Sequence, residues 1–171
     1  MPTKYIALLR AVNVGGTGLL AMADLSRLCT EAGLTKVKTY IASGNVVFES
    51  PTSATAVQAK LAQSLHAHTG KPVGVLIRTA EEIAAIVKAN PFRGKAAKYT
   101  LAIFLDKAPP ADTLKQVAGM NDEEIRLGKR EIYVHYPSGM GRSKLKIPAA
   151  KAGTARNMNT VAKLAEMAGD L

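Results

Sequence analysis

The chain has 171 residues, 47% hydrophobic and 21% charged, a composition that excludes a disordered or fibrous protein. With 23 Lys and Arg against 13 Asp and Glu the net charge is +10, so a partner found by electrostatics is expected to be anionic. No run approaches the ~18 consecutive apolar residues that span a bilayer, so no membrane role is expected.

The first apolar run, Ile6-Ala7-Leu8-Leu9, stops at Arg10, short of the ~7–15 residues of a signal-peptide core, and reads as a strand over Tyr5–Arg10. Asn13, Gly15, Gly16 and Gly18 end it. Residues 22–33 carry a helical period, with Leu25, Leu28, Cys29 and Ala32 on one face and Gly33 as the stop. That spacing makes the lone Cys29 a buried core thiol rather than a nucleophile. A single Cys also suits a reducing, cytoplasmic setting. Val37–Tyr40 and Val46–Phe48 flank Ser43-Gly44-Asn45 and read as a hairpin. A helix over 56–68, with Val57, Leu61 and Leu65 inward, and a strand over Val73–Arg78 complete a ferredoxin-like order.

Thr79-Ala80-Glu81-Glu82 matches a capping box, and its helix must end before Asn90-Pro91. The two glutamates are thereby explained as helix-start chemistry. After a linker over 91–98, a strand over Tyr99–Leu105 is followed by a helix from Pro109-Pro110 to Ala118. A hairpin of Ile125–Leu127 and Ile132–Tyr136 comes next. The expectation is an α+β fold of two ferredoxin-like halves with antiparallel sheets, plus a C-terminal helix. Residues 1–78 form the first half, 79–98 a helix and linker, and 99–171 the second half.

Between Ile132 and Ala165 there is no Asp or Glu, but there are Arg142, Lys144, Lys146, Lys151, Arg156 and Lys163. Within that stretch, Pro137-Ser138-Gly139-Met140-Gly141-Arg142-Ser143-Lys144 follows a strand. Its glycines can turn backbone N–H groups toward one point, while Ser, Arg and Lys add donors. The Walker A and dinucleotide spacings are absent, so an anion site and an exposed basic turn both remain open. On the last helix Met158, Val161, Ala162, Ala165 and Ala168 form an apolar stripe. Arg156, Asn159, Thr160 and Lys163 form a polar face beside a helix N-terminus that attracts anions. The first loop, with Arg10, Asn13, Gly15 and Gly16, competes for the same role.

The segments LLRAVNVGG, TYIASGNVVF, Asn90-Pro91-Phe92, YPSGMGRSKL and TARNMNTVAKLAEMA resemble the family catalogued as domain of unknown function 1697. The resemblance implies a two-part α+β fold with ferredoxin-like halves and carries no reaction with it. It marks Arg10, Asn13, Gly15, Gly16, Ser43, Gly44, Asn45, Ser143, Lys144, Arg156, Asn157 and Asn159 as signature positions. Where that family has Trp, this chain has Met158, which its place on the apolar stripe makes a packing change.

Metal chemistry is not expected, since His66, His68 and His135 offer no ligand spacing, and no cofactor motif occurs. Ser43 and Ser143 have no evident base, and Asp122-Glu123-Glu124 reads as the solvated start of a hairpin. The leading expectation is a cytoplasmic domain that binds a small anionic ligand, such as a phosphorylated one, in a basic cleft between the halves. That cleft would gather Arg10/Asn13, Arg142/Ser143/Lys144 and Arg156/Asn159. The alternatives are a nucleic-acid-binding module and a structural or protein-interaction role; whether the protein is an enzyme stays open.

Overall fold

A computed structural model of the chain describes residues 2–10, 20–41 and 44–171. In chain order they form β1 (Thr3–Arg10), α1 (Met22–Glu31), β2 (Thr35–Tyr40), β3 (Asn45–Ser50), α2 (Ala54–Thr69), β4 (Gly74–Thr79) and α3 (Ala80–Ala89). Then follow β5 (Thr100–Phe104), β6 (Glu124–Leu127), β7 (Glu131–His135), β8 (Thr154–Asn157) and α4 (Met158–Gly169). The fold is α+β, with two antiparallel four-stranded sheets of order β2-β3-β1-β4 and β6-β7-β5-β8. Two compact units hold these sheets: Met1–Ala85 with Lys163–Leu171, and Ile86–Ala162, so the boundaries fall inside α3 and α4.

The first unit has the βαββαβ order of a ferredoxin-like fold, with β1 paired to β3 and β4. Residues two apart share a face of a strand, so Tyr5, Ala7 and Leu9 form one inner surface. Onto it α1 lays Leu25, Leu28 and Cys29, and α2 lays Val57, Leu61 and Leu65, the helical spacings visible in sequence. Each such aliphatic side chain contributes roughly 1.5–3 kcal/mol by leaving water. Ile6 and Leu8, on the other face, are also fully buried, which is why β1 reads as an unbroken apolar run.

The helix boundaries follow local chemistry. Ser53 caps α2, its hydroxyl accepting from the Ala56 N–H at 3.2 Å. The capping box at α3 is formed in both directions: the Glu82 N–H donates to Thr79 Oγ1 at 3.1 Å, and the Thr79 N–H to Glu82 Oε1 at 2.9 Å. At α4 the Thr160 N–H donates to Asn157 Oδ1 at 2.9 Å. α1 stops at Gly33, as its sequence indicates.

The second sheet repeats the first strand for strand, with β5 in the place of β1, but both crossovers differ. Where the first unit has α1 and α2, residues 105–123 and 136–153 are loops carrying 3-10 turns at Thr113–Gln116 and Pro148–Ala152. They cover the sheet as helices would: Val117, Tyr136, Leu145 and Ile147 pack on Ile103, Ile132 and Val134.

Three elements differ from what the sequence predicts. The helix expected over 109–118 is only the turn Thr113–Gln116. Thr113 donates its N–H and hydroxyl to the Pro110 carbonyl at 3.0 and 2.6 Å, and the chain then straightens so that Ala118 pairs with Lys146 through two backbone bonds of 3.0 and 2.8 Å. Strand β8 is absent from the sequence reading, which placed Arg156 at a helix start. Arg156 instead lies opposite Ala102 of β5, because an edge strand is defined by its distant partner. On α4 the buried residues are Met158, Thr160, Val161, Leu164 and Ala168, while Ala162 is exposed. The buried face is thus rotated toward Thr160 and Leu164.

Candidate functional site

The two loops that replace helices in the second unit meet along a groove of about 300 Å³. Gly119, Asn121, Asp122 and Glu123 line it from one side, and Ser138, Gly139, Arg142, Ser143 and Lys144 from the other. The pairing of Ala118 with Lys146 fixes their register, and Gly119 makes the close approach possible. Gly119 has φ +70°, and a methyl group there would stand 2.1 Å from the Lys144 carbonyl oxygen. At Gly139, φ is +82° and the N–H returns to the Tyr136 carbonyl at 2.9 Å, turning the basic loop back over the strand it leaves.

The groove's carboxylates carry no signature of their own in the sequence. Glu123 is buried, not a solvated hairpin start, and acts as a strut between the loops. The Asn121 N–H donates to its Oε1 at 2.6 Å, and the Ser143 hydroxyl donates to its Oε2. Ser143 Oγ in turn accepts from the Leu145 N–H at 3.2 Å. The Ser143 hydroxyl, and next the Asn121 N–H, hold the Glu123 carboxyl below its ordinary range. Asp122 is exposed and accepts from the Ser138 hydroxyl at 2.5 Å. Glu124 belongs to β6 and pairs with Lys95 at 2.8 Å. The acid-free stretch gave one usable signal: a serine there finds a carboxylate only outside it, and the Asp122–Glu124 cluster lies just upstream.

Arg142 and Lys144 are exposed, and among the described residues their side chains make neither an ion pair nor a hydrogen bond. Their charges are therefore available in the groove, whereas the hydroxyl proton of Ser143 is committed to Glu123.

Asn13, Gly15, Gly16 and Ser43 lie outside the described residues. Arg10 ends β1 opposite Gly74 in the first unit. Asn45 is fully buried, its Nδ2 donating to the Tyr40 carbonyl at 2.8 Å to close the β2–β3 hairpin. Arg156 does not join the groove, being on the face of its sheet that carries Ala102, opposite the face under the loops. There it donates to Thr154 Oγ1 at 2.7 Å and to the Ala155 carbonyl at 2.9 Å, and burial pulls its guanidinium down to about 10. Asn157 caps α4 and Asn159 is exposed. Met158 is buried, as the apolar-stripe reading of that position requires.

His135 is buried in the second unit, its Nδ1 2.9 Å from Thr100 Oγ1. Thr100 gives its one proton to the Ala96 carbonyl, so His135 Nδ1 is the donor in that pair. Among the described residues no three His, Cys, Asp or Glu side chains are grouped to hold a metal ion. No described helix is long and apolar enough to cross a membrane.

Two antiparallel sheets of one strand order, the second with a groove in its crossover loops, define an α+β protein of two halves that share the ferredoxin-like strand order. The chain belongs to the family described as Protein of unknown function (DUF1697), whose profile matches residues 2–133. Its fold is similar to that of the conserved bacterial protein SP0830 from Streptococcus pneumoniae, at 28% sequence identity and a TM-score of 0.81. That likeness covers 98% of this chain and 99% of that one. No curated protein matches the chain.

Proposed function

We propose that the protein is a cytoplasmic binding domain for a small anionic ligand, one bearing a phosphate or carboxylate, held in the groove between residues 119–123 and 138–144. The observation that carries this reading is the pair of exposed, uncommitted cations, Arg142 and Lys144, on one wall of a concave site of ligand-sized volume. The positive net charge favours encounter with an anion. No general base is assigned, so the reading stops at binding.

The test is a thermal-shift series at low salt with inorganic phosphate, sugar phosphates, nucleotides, carboxylates and short oligonucleotides. A site-specific ligand at ~100 times its Kd adds about 2.7 kcal/mol, enough for a shift of a few degrees. The expected result is a shift confined to small anions and abolished by Arg142→Ala with Lys144→Ala. A shift with oligonucleotides alone, falling steeply with salt, would favour the nucleic-acid reading instead. A flat series would leave the structural or protein-interaction role.

A further inference from the structure

The groove carries charge of both signs. Asp122 stands on one wall and Arg142 and Lys144 on the other, yet among the described residues neither cation lies within 4.0 Å of a carboxylate. Flexible surface charges of opposite sign that share a groove without pairing leave room for a group to lie between them. Glu123 is not available to such a group, because both of its oxygens are held inside the protein, by Ser143 and by the Asn121 N–H. Among the described residues Asp122 has one partner, Ser138, and a carboxylate offers about four lone-pair sites.

From this separation we infer that the ligand is zwitterionic: an ammonium group meets Asp122, while a phosphate or carboxylate on the same molecule meets Arg142 and Lys144. The inference rests on the anion-site reading above and narrows it. A simple anion entering the groove gains the two cations but also faces the Asp122 charge. A ligand that brings its own cation turns that repulsion into a second contact, so the site discriminates as well as binds. Both sources of the anionic end, an amino acid and an aminoalkyl phosphate, satisfy the same geometry. Both walls come from loops joined by the Ala118–Lys146 pairing, so the backbones that carry these charges are held in register before any ligand arrives.

Calorimetric titration at low salt tests this with ethyl phosphate against 2-aminoethyl phosphate, and with propionate against a series of ω-amino acids of one to four methylene groups. The expected result is at least tenfold tighter binding of an amine-bearing member than of its amine-free partner. Asp122→Asn, which keeps an oxygen for Ser138 to donate to, should erase that preference and leave the plain anion bound as well as before or better. Equal or tighter binding of ethyl phosphate or propionate to the unmodified protein overturns the zwitterion inference and leaves the anion site standing. A preference that survives Asp122→Asn overturns the role of Asp122. Absence of binding by every member overturns both readings.

Discussion

Arg78 and Arg156 occupy the same place in the two sheets. Each is the penultimate residue of the last strand, opposite the central strand (Arg78 at Ile6, Arg156 at Ala102) and buried on the face away from its crossovers. Each donates an Nη1 proton to the carbonyl of the preceding residue, Ile77 at 3.1 Å and Ala155 at 2.9 Å. The following residue, Thr79 or Asn157, caps the next helix. The two units thus share a strand-to-helix junction as well as a strand order.

A buried guanidinium with fixed acceptors is costly to remove, because its truncation leaves both a void and orphaned carbonyls. Arg78→Ala and Arg156→Ala are each expected to destabilise the protein by about 2 kcal/mol or more in urea titrations. Arg142→Ala, at an exposed position, should stay within about 0.5 kcal/mol. Equal midpoints for Arg142→Ala and Arg156→Ala would contradict the burial argument.

The Glu123 strut makes a pH prediction. Its folded carboxyl titrates below the ordinary value of 4.5, so its contribution is present above that value and lost as the pH falls through the depressed one. Glu123→Gln should therefore cost stability at pH 7, and the difference from the unmodified protein should shrink between pH 5 and pH 3. Denaturation midpoints across that range supply the check; a constant difference at every pH would sink it.

At Gly119 a methyl group would collide with the Lys144 backbone. Gly119→Ala is expected to cost about 1–3 kcal/mol and to loosen the groove, seen as faster hydrogen exchange at Ala118 and Lys146. Gly141→Ala meets nothing within 4 Å and serves as the neutral control.

Helix caps give a matched pair. Thr79→Ala and Asn157→Ala should each lose roughly 1 kcal/mol, the usual contribution of a side-chain cap. An Asn157→Asp change, which keeps the acceptor oxygen, should restore most of the loss at α4.

Burial pushes the Cys29 thiol up to about 12, so almost no thiolate exists at pH 8. The native protein should resist an aromatic disulfide reagent for hours, then react within minutes in denaturant. Rapid labelling of the folded chain would refute the core assignment.

The first unit was largely legible in sequence, because its strands and helices are long enough to show their periods: Val57, Leu61 and Leu65 announce α2, and Thr79 with Glu82 announces α3. The second unit was legible only in its strands. Thr154-Ala155-Arg156-Asn157 becomes a strand through pairing with β5, and the loop at Val117–Ala118 is extended by Lys146; neither partner is local. The same holds at the groove. Arg142, Ser143 and Lys144 stand out as a basic loop, but the carboxylate that engages Ser143 comes from 20 residues upstream, on an element with no periodic signature. Side chains that meet across long loops leave no pattern for composition or spacing to reveal.

Replacing two helices by two loops gives the halves different tolerance to insertion. One residue added within α1 or α2 rotates everything beyond it by about 100° and turns Leu25 or Leu61 away from the sheet. In the second unit residues added at the loop tips, away from Val117, Leu145 and Ile147, change the rim of the groove, since Ile103, Ile132 and Val134 stay in their strands. Loop closure costs merely about 0.6 kcal/mol for each doubling of length. Lineages sharing this architecture can therefore reshape what the groove accepts by length variation between β5 and β6 or between β7 and β8, while the first half keeps its dimensions.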